Sequence, residues 1–143
     1  MKKLTLVVIF ASIGVGLFAQ DFYLNDSIET QELSFKVVKL FSENEISKSF
    51  DVLTPYWPLP ENEIEAIEEK SIKYLNILKD RYGDPIGIEK IKIERIKEIA
   101  IRETYLIRYE YTAIRLIFTY YKNDSGWIIN AFKWDDSFTE EFK

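Results

Sequence analysis

The chain of 143 residues contains no cysteine and no histidine. Neither a Ser-His-Asp nor a Cys-His catalytic arrangement can be assembled without them, and the ordinary zinc ligands are missing. No disulfide can form, so stability has to come from packing. Glycine and proline are sparse, at five and four residues. No GxGxxG or GxxxxGK(S/T) run occurs, so neither phosphate-cradling loop has a sequence basis. A basic surplus is lacking too: 19 Lys and Arg stand against 24 Asp and Glu, a net charge of −5. That field disfavours nucleic acid and anionic lipid. Carboxylates, tyrosines, lysines and arginines are what remains for chemistry.

What is present begins with an export signal. Lys2 and Lys3 precede an apolar run from Leu4 to Phe18, and small and polar residues follow at Ala19 and Gln20. That layout is a secretory signal peptide over residues 1–20. The run is short for a membrane span of about 20 residues, and nothing after Gln20 reads as a stop-transfer helix; a retained amino-terminal anchor is the alternative. Removing residues 1–20 leaves residues 21–143, and losing Lys2 and Lys3 takes the charge from −5 to −7. The remainder is the size of one domain with one core, expected in the periplasm or secreted. Its 47% hydrophobic and 15% aromatic content argues against disorder.

Three helices are expected first. Asp26-x-x-Glu29 is spaced as a capping box, with Leu33, Val37, Leu40 and Phe41 following at helical intervals. Ser42-x-x-Glu45 reads as a second cap, opening a short helix through Phe50 and Leu53. The run "TPYWPLP" (54–60) breaks the pattern, and its Tyr56 and Trp57 are expected to fold over an open edge of the core. A third helix over about 62–82 carries acids early and bases late, suiting its dipole. Its inward stripe is Ile64, Ile67, Ser71, Tyr74, Leu75, Leu78 and Tyr82, and Gly83 with Pro85 closes it.

After Pro85 the period changes to two. "IGIEKIKIERIKEI" reads as a strand with Ile91 and Ile93 on one face and Lys90, Lys92 and Glu94 on the other. Further strands are expected at about 101–111, 114–122 and 127–134, with "KNDSG" as the last hairpin turn. The order predicts an α+β domain: three amino-terminal helices on one face of a four-stranded antiparallel sheet.

The last two strands depart from simple alternation, since both faces carry large apolar residues. Pairing Tyr120 with Ile129 and Phe118 with Ala131 leaves Ile117, Tyr121, Ile128, Phe132 and Trp134 on the outer face; a bulge would swap the set. Such a patch marks an interface, unless the tail "SFTEEFK" folds back over it through Phe138 and Phe142 or the aromatics simply stand exposed. Asp135 and Asp136 fall far short of a calcium ligand set and read as the strand's exit.

The three helices, the Tyr82-Gly83-Pro85 closure, four long strands and the closing W-x-x-x-x-F-x-W-D-D of Trp127–Asp136 resemble the NTF2-like (cystatin-like) superfamily. The small secreted NTF2-like proteins of Bacteroidetes are the nearer likeness. The resemblance implies a curved sheet wrapping a long helix as a cone, with a pocket at the wide end. That superfamily includes isomerase- and cyclase-type enzymes as well as ligand-binding and dimerising modules, and fold alone does not choose among them. Pairing through the outer sheet face is common in it.

The expected function is therefore a non-catalytic binding or interaction module, with no catalytic or metal-binding residue assigned and no cofactor. Tyr74, Tyr105, Tyr109 and Tyr111 are the pocket candidates, with Glu103 or Asp51 near the mouth. Ordinary strand packing of alternate tyrosines is the plainer alternative. The expected partners are a second copy through the outer face, a small apolar ligand or another exported protein. A small isomerase- or cyclase-type enzyme using Tyr and Asp/Glu in an apolar pocket is the alternative function.

Overall fold

The computed structural model describes residues 22–143; residues 1–21, and with them the expected signal peptide, lie outside the described residues. Helices α1 (Ser27–Ser42), α2 (Ile46–Leu53) and α3 (Glu61–Tyr82) precede strands β1 (Gly87–Ile96), β2 (Ala100–Arg108), β3 (Ala113–Lys122) and β4 (Trp127–Asp135). The strands form one open antiparallel sheet in the order β1-β2-β3-β4. The α+β class and the element order follow the expectation. Among the described residues no helix is long and apolar enough to cross a membrane.

Helix α1 starts where the cap is expected. Asp26 Oδ1 accepts from the amides of Ile28 and Glu29, both at 2.9 Å, satisfying donors that a helix start leaves open. Glu29 reaches back to the Asn25 amide instead of to Asp26. The second cap is corrected. Ser42 lies in the last turn of α1, where its hydroxyl donates to the Lys39 carbonyl, so it is unavailable to α2. The break comes instead at Asn44, in a left-handed conformation with φ 60°. At the far end of α3, Gly83 (φ 78°) sends its amide to the Lys79 carbonyl. A side chain there would be strained.

Two bulges rearrange the alternation. In β1 the pairing skips Ile91, between Lys90↔Tyr105 and Lys92↔Thr104, so Ile91 and Ile93 no longer share a face as expected. In β4 the pairs run Tyr120↔Ile129, Thr119↔Ala131, Phe118↔Phe132 and Leu116↔Trp134, leaving Asn130 unpaired. The expected Phe118–Ala131 pair is thereby overturned. Phe132 and Trp134 lie on the helix side of the sheet, not on its outer face.

Phe132 becomes the hub of the core. Its ring centroid lies 5.0 Å from Phe118, 5.7 Å from Phe41, 6.0 Å from Phe50 and 6.1 Å from Trp57, within the range of favourable aromatic pairs. Helices α1 and α2, the proline-rich turn and the sheet thus meet on one side chain. Trp57 is buried and Tyr56 half-buried, with Phe22 packed edge-on against Tyr56. The run 54–60 covers the core as expected.

Truncating that hub should cost about 3–5 kcal/mol, whereas Tyr121→Ala on the outer face should stay within about 0.5 kcal/mol. Urea unfolding of Phe132→Ala and Tyr121→Ala measures both. Equal losses would contradict the inward placement of Phe132.

Candidate functional site

Helix α3 lies beside β4 without closing onto it. Between them runs a groove of about 590 Å³, within the size range of small-molecule sites. Ile67, Tyr74, Ile77 and Leu78 line it from α3, with Phe132 and Trp134 opposite. One polar tether crosses between the walls: Trp134 Nε1 donates to Ser71 Oγ at 2.8 Å, and Ser71 Oγ donates to the Ile67 carbonyl at 2.8 Å. Tyr74 and Ile77 remain 54% and 52% exposed. Their apolar surface faces the groove, while Ile64, Ser71 and Leu75 are the buried residues of α3 and Leu78 and Tyr82 pack partly against the core.

The four candidate tyrosines do not converge. Tyr74 lines this groove; Tyr105 is buried on the inner face of β2 and meets a different hollow beside α1. Tyr109 is buried just beyond β2, at a smaller crevice near Gly83, and Tyr111 is 80% exposed in the β2–β3 turn. The reason is that β2 ends at Arg108, where the Tyr109 amide donates to the Thr112 carbonyl and turns the chain; alternation cannot continue to Tyr111. Asp51 lines a separate cleft with Tyr56 and Trp57.

Glu103 is not at a mouth but fully buried on the inner row of β2, between Ile101 and Tyr105. Its Oε2 lies 3.0 Å from Ser34 Oγ, which lies 2.6 Å from the Tyr120 hydroxyl; that hydroxyl donates to the Thr30 carbonyl at 3.0 Å. Three contacts need three protons. Ionised Glu103 leaves only the Ser34 and Tyr120 protons, whereas a protonated Glu103 completes a chain from Glu103 through Ser34 and Tyr120 to Thr30. Among the described residues Oε1 has no hydrogen-bond partner. Burial pushes the Glu103 carboxyl up to about 7, against the opposing Ser34 hydroxyl and the Lys90 charge. Burial likewise raises Tyr105 and Tyr120, with the nearby Glu103 charge second. The sequence signal was an acid in a period-two apolar row.

The outer face carries an ion network that sequence reasoning did not assemble. Arg115 donates to both oxygens of Asp135, at 3.0 and 2.7 Å, and to Glu141 at 2.8 Å; Lys92 pairs with Glu141 at 2.7 Å. Bonds from Asp135 first, then Glu141, push the Arg115 pKa up. The tail is therefore drawn across the outer face by Glu141, while Phe142 is left 84% exposed. Of the expected interface set, Ile117 is only 8% exposed on the face that the tail crosses, Tyr121 is exposed, Ile128 is half-buried, and Phe132 and Trp134 are on the other side. Asp135 is a structural anion, as its place at the strand's exit suggested.

No protein-family model matches the chain, and no match was found among curated proteins or solved structures.

Glu103 makes stability depend on pH with a definite sign. Its folded value of about 7 lies above the ordinary 4.5, so the folded state holds the proton longer. Stability is then lost as pH rises from 4.5 through about 7, by about 3 kcal/mol in total. Glu103→Gln, whose amide donates to Ser34 as the protonated acid does, should flatten that slope. It should also be the more stable form above about pH 7. Denaturant midpoints across this range decide it; an unchanged slope would place the titration elsewhere.

Proposed function

We propose that the protein is an exported, non-catalytic binding module whose working surface is the groove between α3 and β4. The observation that carries this reading is the pair of large apolar side chains, Tyr74 and Ile77, held half-exposed against Trp134 across an open groove. The export reading is supported by the amino-terminal segment. Membership of the NTF2-like superfamily belongs to the same proposal, supported by the order of three helices and four strands. On that reading the groove is the mouth of the cone.

The enzyme alternative would have to use Glu103 with Tyr105 or Tyr120. Glu103 has no solvent contact and lines none of the larger hollows, and a catalytic acid or base must come within hydrogen-bond reach of its substrate. Its proton chain through Ser34 and Tyr120 ends on the Thr30 backbone carbonyl inside the core. Pairing of two copies through the outer sheet face would rest on Tyr121 and Ile128, because Ile117 is only 8% exposed.

Anilinonaphthalene sulfonate, an apolar anion that fluoresces when sheltered from water, tests the groove. Wild-type protein should bind it saturably; Ile77→Asp should weaken binding about tenfold, corresponding to roughly 1.4 kcal/mol. Ile96→Asp, an equally drastic change at an exposed site at the end of β1, should bind as wild type does. Identical titrations for all three proteins would remove the groove as the binding surface.

A further inference from the structure

The wall of the groove opposite α3 consists of five consecutive residues, Phe132 to Asp136, the first four of them in β4. Consecutive strand residues point to opposite faces, so a wall that includes all of them is the strand's open edge. The sheet order places β4 at that edge. Its near end already has a partner: the Leu24 amide donates to the Trp127 carbonyl at 2.9 Å and the Trp127 amide to the Leu24 carbonyl at 2.8 Å. Trp127 therefore turns both backbone groups away from β3. Outward groups recur at every second residue of an antiparallel ladder. Carried through the bulge at Asn130, this rule puts the outward groups of the groove section on Phe132 and Trp134. Among the described residues, neither has a backbone bond beyond the strand ladder.

The charge along this edge is specific. Lys70, Arg81 and Lys133 line the groove and form no ion pair among the described residues. Asp135 is engaged by Arg115, which leaves Asp136 as the one unmatched lining acid among the described residues. A local cationic surplus on a chain of net charge −5 favours an acidic partner. Unpaired backbone donors and acceptors, an apolar wall opposite and cationic flanks together match an extended polypeptide better than a compact small molecule.

We infer that the free edge of β4 at Phe132–Trp134 takes up an extended peptide segment as an added strand, one that alternates apolar with acidic residues. Its apolar side chains lie against Tyr74 and Ile77 of α3, and its acids, which point to the opposite face of the added strand, meet Lys133 on the outer side of the sheet. This inference rests on the groove being the binding surface.

A short blocked peptide alternating valine with glutamate is the probe, read by amide hydrogen exchange on the protein. Binding should slow exchange at the Phe132 and Trp134 amides and leave β1 unchanged. The same peptide methylated on alternate backbone nitrogens should give no protection, because its side chains remain but its edge-facing donors are gone. A valine–lysine peptide should bind about tenfold more weakly. Ile77→Asp should abolish protection in a chain that unfolds at the wild-type urea midpoint. Equal binding of the methylated peptide would overturn strand addition, as would protection that appears without peptide and rises with protein concentration, the sign of β4 pairing between copies. If anilinonaphthalene sulfonate still binds while the peptide protects nothing, strand addition fails and the groove stands; if neither binds, both fail.

Discussion

The bulge at Asn130 carries Phe132 to the helix side of the sheet, and the rest of the core is arranged around that ring. Without the extra residue, Ala131 would face Phe118 and Phe132 would point to solvent. With it, rings from α1, α2, the proline-rich turn and β3 close on Phe132 at 5.0 to 6.1 Å. The same shift brings Trp134 inward to Ser71. One inserted residue thus secures both the centre of the core and the sole side-chain hydrogen bond found between α3 and β4. Bulges are found where a strand must re-aim a side chain, and here two are re-aimed at once.

The consequence for function is a division of labour between the two faces of the sheet. On the outer face, where an apolar patch was expected, the tail is tied down at Arg115 and Lys92 through Glu141, while Tyr121 stays exposed. Arg115 holds Asp135 and Glu141 together, at 11% side-chain exposure, so these pairs are less screened than ordinary surface ones. The helix side holds the binding candidate instead, since α3 overhangs the sheet edge and is fastened there by a single side-chain bond. A long helix beside an edge strand usually shields it. Here the shield stands off, and the gap is wide enough to admit a ligand.

Glu103 shows how burial by itself can tune a polar group. Its environment resembles a tuned acid: an apolar surround, neighbouring tyrosines and a carboxyl pushed up to about 7. Such a shift is a reason to suspect catalysis, but geometry argues otherwise here. The proton chain through Ser34 and Tyr120 terminates on the Thr30 carbonyl in α1, so the cluster fastens the first helix to the middle of the sheet. Its dependence on protonation follows from the number of hydrogens available.

The class, the order of elements and many of their boundaries were legible in the residues, because period 3.6 and period two are local properties and caps and turns are local chemistry. Asp26 and Gly83 act as their neighbours suggest. The failures were also local rules, overruled from a distance. Ser42 bonds back to Lys39, Tyr111 is lost when the chain turns at Tyr109, and Ile91 is skipped in the ladder. The amino-acid order by itself determined an α+β domain with helices first and a surplus of apolar residues in the last two strands. Only the tertiary structure decided which face received that surplus, because a bulge reverses facing without changing composition. It also decided that Glu103, an ordinary acid in the written sequence, sits where no water reaches, since burial depends on helix α1 some 70 residues away.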